Sequence, residues 1–143
     1  MKVVVNRCHG GFGLSHEAMM LYGEKKGIKL FPYQQKDGLR GEYFRYVPNP
    51  ELKNRLLHPS YLQKDSGDSL SAEKFSKLYT KSGLYYGDIT RNDPALVFAV
   101  EELKEKANGG FAQLEVVEIP DDVDWEVSEY DGYESIEEKH RSW

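Results

Sequence analysis

Cysteine is nearly absent: Cys8 is the only one in 143 residues. One thiol can neither close an internal disulfide nor build a cysteine-rich zinc site, so a reducing compartment is expected. Long apolar runs are missing too. The N-terminus offers only Val3-Val4-Val5 before Asn6-Arg7, which is too short for a signal-peptide core or a membrane span. The expectation is a cytoplasmic protein. Basic residues thin out along the chain. Residues 1–70 hold 11 Lys/Arg against 7 Asp/Glu, whereas residues 71–143 hold 8 against 17. An acidic second half argues against duplex nucleic acid as a partner, because neutralising phosphates needs a basic face. A local basic pocket for a small anion stays compatible with this balance. No HExxH or EF-hand spacing occurs, and neither a metal nor a cofactor is expected.

What is present describes a globular chain. Hydrophobic residues make up 39% and charged ones 30%, enough to bury one core and build one domain. Ten tyrosines supply core volume and also flat, polar-tipped walls for ligands.

Val3–Val5 reads as a buried first strand, followed by the glycine-rich turn His9-Gly10-Gly11-Phe12-Gly13-Leu14. Ser15 is placed to cap a helix over roughly 16–26, which Gly27 closes. Residues 28–34 read as a second strand, assigned to a sheet edge because Pro32 cannot donate to a ladder. Residues 42–47 form a third. From about 48 to 82 the pattern dissolves into an irregular insertion, with short helices at most near 51–57 and 71–79. Leu84-Tyr85-Tyr86 reads as a short strand. Asp93-Pro94 opens a second main helix carrying Leu96, Ala99, Val100, Leu103 and Ala107, stopped by Asn108-Gly109-Gly110. Residues 113–119 and 124–130 read as strands, with Pro120–Val123 as the hairpin loop between them. Ser135 and Glu138 have capping-box spacing in the tail. The expected fold is α+β: a mixed or antiparallel sheet, two main helices packed on one face and a C-terminal β-hairpin, in a single domain over 1–143.

Three segments carry candidate chemistry. In the first, Arg7, Gly10, Gly11, Phe12, Gly13, Leu14 and Ser15 join a strand end to a helix start. There, glycines let backbone amides converge on an anion, Arg7 can fork onto phosphate oxygens and Phe12 can face a base. The plain alternative is a tight turn. In the second, Thr90, Arg91 and Asn92 precede the Asp93 cap and offer a polar pocket wall, or else a solvated capping segment. The third is the basic-aromatic end, where Arg141 and Trp143 can stack on a ligand or clasp a neighbouring subunit; chain ends are more often inert. No catalytic residue is assigned. Cys8 and His9 are adjacent, so on a strand they point to opposite faces and make no nucleophile–base pair.

The stretches NRCHGGFGLSHEA, DITRNDPALV, EELKEKANG and VVEIPDDVDWEVSEYDGYESIEEKHRSW resemble a widespread phage and prophage family. That family includes, or closely neighbours, the first-described type of anti-Thoeris sponge proteins. The similarity covers roughly residues 1–33 and 84–143. It implies a nucleotide-signal-binding protein that sequesters cyclic ADP-ribose-type signals, and cyclic oligonucleotides as well, in the cytoplasm of the infected bacterial host. It also implies a homo-oligomer built from dimers, and it matches Arg91 and Asn92 to pocket residues near a helix start. Two other readings stand beside it: a small hydrolase or phosphodiesterase that degrades such a signal, and a protein-binding phage accessory factor.

Overall fold

A computed structural model describes residues 1–35, 41–47 and 59–138. Strand β1 (Lys2–Asn6) runs antiparallel to β7 (Leu114–Glu118), pairing Val3 with Val117 and Val4 with Val116. All three valines of β1 are fully buried. That fits a strand covered on both faces, where apolar residues run without alternation. One face, with Val4, joins a core shared by helices α1 (His16–Lys26) and α3 (Pro94–Leu103), which pack against each other. The other edge of β1 meets α3's entry segment: the Val4 amide donates to the Arg91 carbonyl at 2.8 Å. Strand β9 (Tyr133–Glu138) also packs against β1.

Local chemistry sets the helix boundaries. Ser15 Oγ accepts from the Ala18 amide at 3.1 Å, and Gly27 closes α1 at φ 78°. Asp93 caps α3 by accepting from the Ala95 amide at 2.9 Å, with Pro94 at the first helical position. The α3 stripe of Leu96, Ala99 and Val100 is buried, and a side chain such as Leu96 contributes roughly 1.5–3 kcal/mol there. The α-helix stops at Leu103, four residues short of the expected end. Lys104–Ala107 continue as a 3-10 turn that still places Ala107 in the core.

A second sheet has the order β5-β3-β2-β4-β6, from β2 (Phe31–Gln35), β3 (Tyr43–Arg45), β4 (Ser60–Leu62), β5 (Ser69–Leu70) and β6 (Gly83–Leu84). Helix α2 (Ala72–Ser82) packs on β4 and β6. Its Phe75 stacks on Tyr43 at 3.8 Å and closes a small core with Tyr33, Leu62 and Leu70. The part of the expected insertion at 59–82 is thus ordered into β4, β5 and α2; the helix expected near 51–57 lies outside the described residues. Of the strand expected at 84–86 only Leu84 pairs, together with Gly83 in β6; Tyr86–Asp88 form a 3-10 turn.

Two expectations are corrected. Strand β2 is central, although it contains Pro32. The Pro32 carbonyl accepts from the Tyr46 amide at 2.9 Å, so the missing N–H faces Tyr46, one residue past the end of β3. The lost bond falls where that ladder ends. The C-terminal hairpin exists but lies one strand further on. Strand β7 goes to β1, while β8 (Trp125–Tyr130) pairs with β9. The turn is Asp131-Gly132 at φ 50° and 88°, the left-handed pair that a two-residue hairpin loop needs. Ser135–Glu138 is therefore strand, and its spacing caps no helix.

Candidate functional site

The glycine turn is a meeting point of three backbone segments. A Cβ at Gly10 would run into Phe111, and one at Gly132 into the His9 carbonyl. Gly13 accepts a hydrogen bond from the Gly109 amide at 3.0 Å. Gly11 sits at φ 93°, a conformation that side chains disfavour. The glycines thus bring the turn against the Gly109–Phe111 loop and the hairpin tip. A Cβ at Gly109 would lie 2.7 Å from the Gly13 carbonyl carbon, whereas one at Gly13 would find its nearest atom at 3.7 Å. Gly109→Ala is therefore expected to cost about 1–3 kcal/mol through overpacking and Gly13→Ala much less, a contrast that thermal denaturation of both variants will measure.

Asn6 fastens these segments from beneath. It is fully buried, yet its carboxamide is satisfied: Nδ2 donates to the Cys8 carbonyl at 2.6 Å and the Gly132 carbonyl at 2.8 Å, while Oδ1 accepts from the Gln113 amide at 2.8 Å. Its own amide donates to Glu134 Oε1 at 2.8 Å.

Glu134, nearly buried on β9, gathers the arginines. Arg91 forks onto both carboxylate oxygens, with Nη2 to Oε2 at 2.8 Å, and its guanidinium lies 3.5 Å above the Phe12 ring. Arg7 donates to the Glu134 carbonyl and to the Glu115 carboxylate, both at 2.9 Å. Arg7, Phe12 and Arg91 are thus brought together, around a protein carboxylate. Thr90 and Asn92 are exposed, with Asn92 Nδ2 at 3.5 Å from Met1 Sδ. Asp93 behind them is held by Tyr22 and Lys26. Burial alone would raise its carboxyl. The donors Lys26, Tyr22 and the Ala95 amide outweigh burial and keep it below the usual carboxylate range.

A cleft of about 1210 Å³ opens on the other side of the turn. It is lined by Cys8, Gly10 and Leu14–Glu17, by Lys104–Lys106 and Asn108–Leu114, and by Tyr46 and Pro59. Of the expected site residues, Gly10, Leu14 and Ser15 line it. Arg7, Gly11, Phe12, Gly13 and Thr90–Asn92 do not, and Arg141 and Trp143 lie outside the described residues. Ser15 is committed to structure, since its Oγ also donates to the Lys106 carbonyl at 2.5 Å. His16 stacks parallel to Tyr61 at 5.8 Å and edge-on to Tyr46 at 4.9 Å, with Nδ1 2.8 Å from Tyr61 Oη. Burial, reinforced by Tyr46, pushes the Tyr61 hydroxyl well above its ordinary pKa, so it keeps its proton at neutral pH.

Lys104 stands out by its backbone. It adopts φ 54°, ψ −122°, the glycine position of a type II′ turn. Such a conformation costs a non-glycine residue about 1–3 kcal/mol. A cation at a helix C-terminus returns only about 0.3–1 kcal/mol. Lys104, Lys106, His16, Tyr46, Asn108 and Phe111 were not among the residues expected at a site. The sequence signal for the lysines was a charged helix end, which has an ordinary solvated meaning.

Among the described residues no three His, Cys, Asp or Glu side chains converge to hold a metal, and no helix is long and apolar enough to cross a membrane. No family model, curated protein or solved structure matches the chain.

Proposed function

We propose that this chain is a non-catalytic binding protein that takes up a nucleotide-derived ligand in the cleft and releases it unchanged. One observation carries the reading: the aromatic residues His16, Tyr46 and Phe111 line the cleft together with Lys104 and Lys106, within about 1210 Å³. Rings suit a base, ammonium groups suit phosphates, and the volume exceeds the roughly 300–1,000 Å³ of a common small-molecule pocket. The resemblance to the anti-Thoeris sponge family supplies the biological frame. In it the ligand is a cyclic ADP-ribose-type signal or a cyclic oligonucleotide, the role is phage anti-defence in the host cytoplasm, and the working form is a homo-oligomer built from dimers.

The test is a thermal shift with cyclic ADP-ribose and with a cyclic dinucleotide, followed by heat release and chromatography of the nucleotide. A ligand at a hundred times its Kd adds about 2.7 kcal/mol of stability, a rise of roughly 5–10 °C for a chain of this size. Intact nucleotide after release supports sequestration. A converted product would make the chain an enzyme, and the absence of any shift would remove the nucleotide reading.

A further inference from the structure

The C-terminal hairpin leaves one of its two strand edges open. Among the described residues β8 pairs only with β9, and no other backbone segment bonds to it. In a two-residue hairpin the residues flanking the turn bond to each other, and bonded pairs then alternate along the strands. Tyr130–Tyr133, Ser128–Ser135 and Glu126–Glu137 are therefore the bonded pairs of this register. The N–H and C=O groups of Val127 and Glu129 point the other way, off the free edge of β8. The same alternation turns the Glu134 carbonyl outward on β9, where Arg7 donates to it at 2.9 Å. The β9 edge is thus in use, and the β8 edge is not.

The side chains along that edge carry one sign of charge. Glu126 and Glu137 oppose each other across the hairpin, both exposed, and among the described residues no ion pair engages either. Like charges directly opposite each other destabilise a sheet. Tyr130 shares their face beside the turn and is 80% exposed. Its cross-strand partner Tyr133 already has the Arg7 guanidinium over its ring at 5.7 Å, and Arg7 itself is paired with Glu115.

We infer that the free edge of β8 is a docking site for a basic, extended segment of another protein, added to the hairpin as a third strand. The open backbone groups of Val127 and Glu129 supply main-chain hydrogen bonds. A lysine or arginine opposite Glu126 offsets the Glu126–Glu137 repulsion, and an arginine beside Tyr130 stacks as Arg7 does on Tyr133. A second β8 is a poor occupant, because it would bring the glutamates of two hairpins into one sheet with no cation among them. The inference is independent of the nucleotide cleft.

Residue-resolved amide exchange of the full chain tests it. The probes are an eight-residue peptide alternating arginine with valine, which puts its arginines on one face, and its counterpart with glutamate for arginine. In the free protein the Val127 and Glu129 amides should exchange fast and those of Ser128 and Tyr130 slowly. A saturating arginine peptide should slow Val127 and Glu129 ten-fold or more, and the glutamate peptide should leave them fast. Glu126→Gln should raise the melting temperature, by relieving the repulsion, yet weaken the arginine peptide several-fold. Tyr130→Ala should weaken it several-fold with melting unchanged. Binding that leaves Val127 and Glu129 fast overturns the proposal, as does no binding or equal protection by both peptides. Slow exchange in the free protein that is lost on dilution puts a second copy on the edge and overturns it as well.

Discussion

Arg91→Ala is expected to destabilise the protein by about 3–5 kcal/mol, the cost of stranding a buried charge by removing its partner. Glu134 is 4% exposed. Its carboxylate is satisfied by two N–H groups of Arg91 and by the Asn6 amide. Without the guanidinium, one backbone donor faces a nearly buried anion. The loss also unseats Phe12, whose ring lies beneath that guanidinium, and loosens β9 from β1. The melting temperature should fall by roughly 10 °C or more. A double-mutant cycle with Glu134→Gln tests the pairing directly. The double variant should be less destabilised than the two single losses added together, because each already removes the shared interaction. Additive losses would mean that the fork is incidental. Unchanged melting with lost nucleotide binding would instead return Arg91 to the ligand-contact role its sequence context suggests.

Arg91 shows where sequence reading reaches and where it stops. The caps at Ser15, Gly27 and Asp93-Pro94 were legible because each is local chemistry between residues two to four apart. The buried first strand was legible from its valine run. The hairpin was displaced because Pro120–Val123 looks like a loop, while Asp131-Gly132, the stronger two-residue signal, lay close to the tail and was passed over. Pro32 in a central strand could not be foreseen, since its harmlessness depends on where β3 ends. Glu134 and Asn6 were missed for a common reason. A polar residue in a strand reads as outward-facing, and the partners that bury it come from segments far along the chain. The arginines were located, but their partner was not. The strain at Lys104 is a property of backbone geometry, and no residue pattern announces it.

Asn6→Ala carries the second large effect, and it joins stability to the cleft. The side chain makes three hydrogen bonds, to Cys8, Gly132 and Gln113, across 2, 126 and 107 residues of sequence. Alanine leaves two carbonyls and one amide without these partners at a site with little room for water. Each such group costs about 1–3 kcal/mol when buried, so a total of about 3 kcal/mol or more is expected in chemical denaturation. Asn6→Asp should be no milder. It keeps an acceptor for the Gln113 amide but turns lone pairs toward the Cys8 and Gly132 carbonyls, where donors stood. The functional consequence follows from position. Cys8 and Gln113 both line the cleft wall, and the Asn6 side chain hydrogen-bonds to the backbone of each. Cys8 is half-buried and is the only thiol, so its alkylation by a small neutral reagent reads the geometry of that wall at a single site. At a temperature where both proteins are folded, Asn6→Ala should label several-fold faster. A saturating nucleotide should slow labelling of the unsubstituted protein, and Asn6→Ala should bind that nucleotide more weakly. Lower stability with labelling rate and nucleotide affinity both unchanged would show that Asn6 only braces the fold and that the walls of the cleft are set elsewhere.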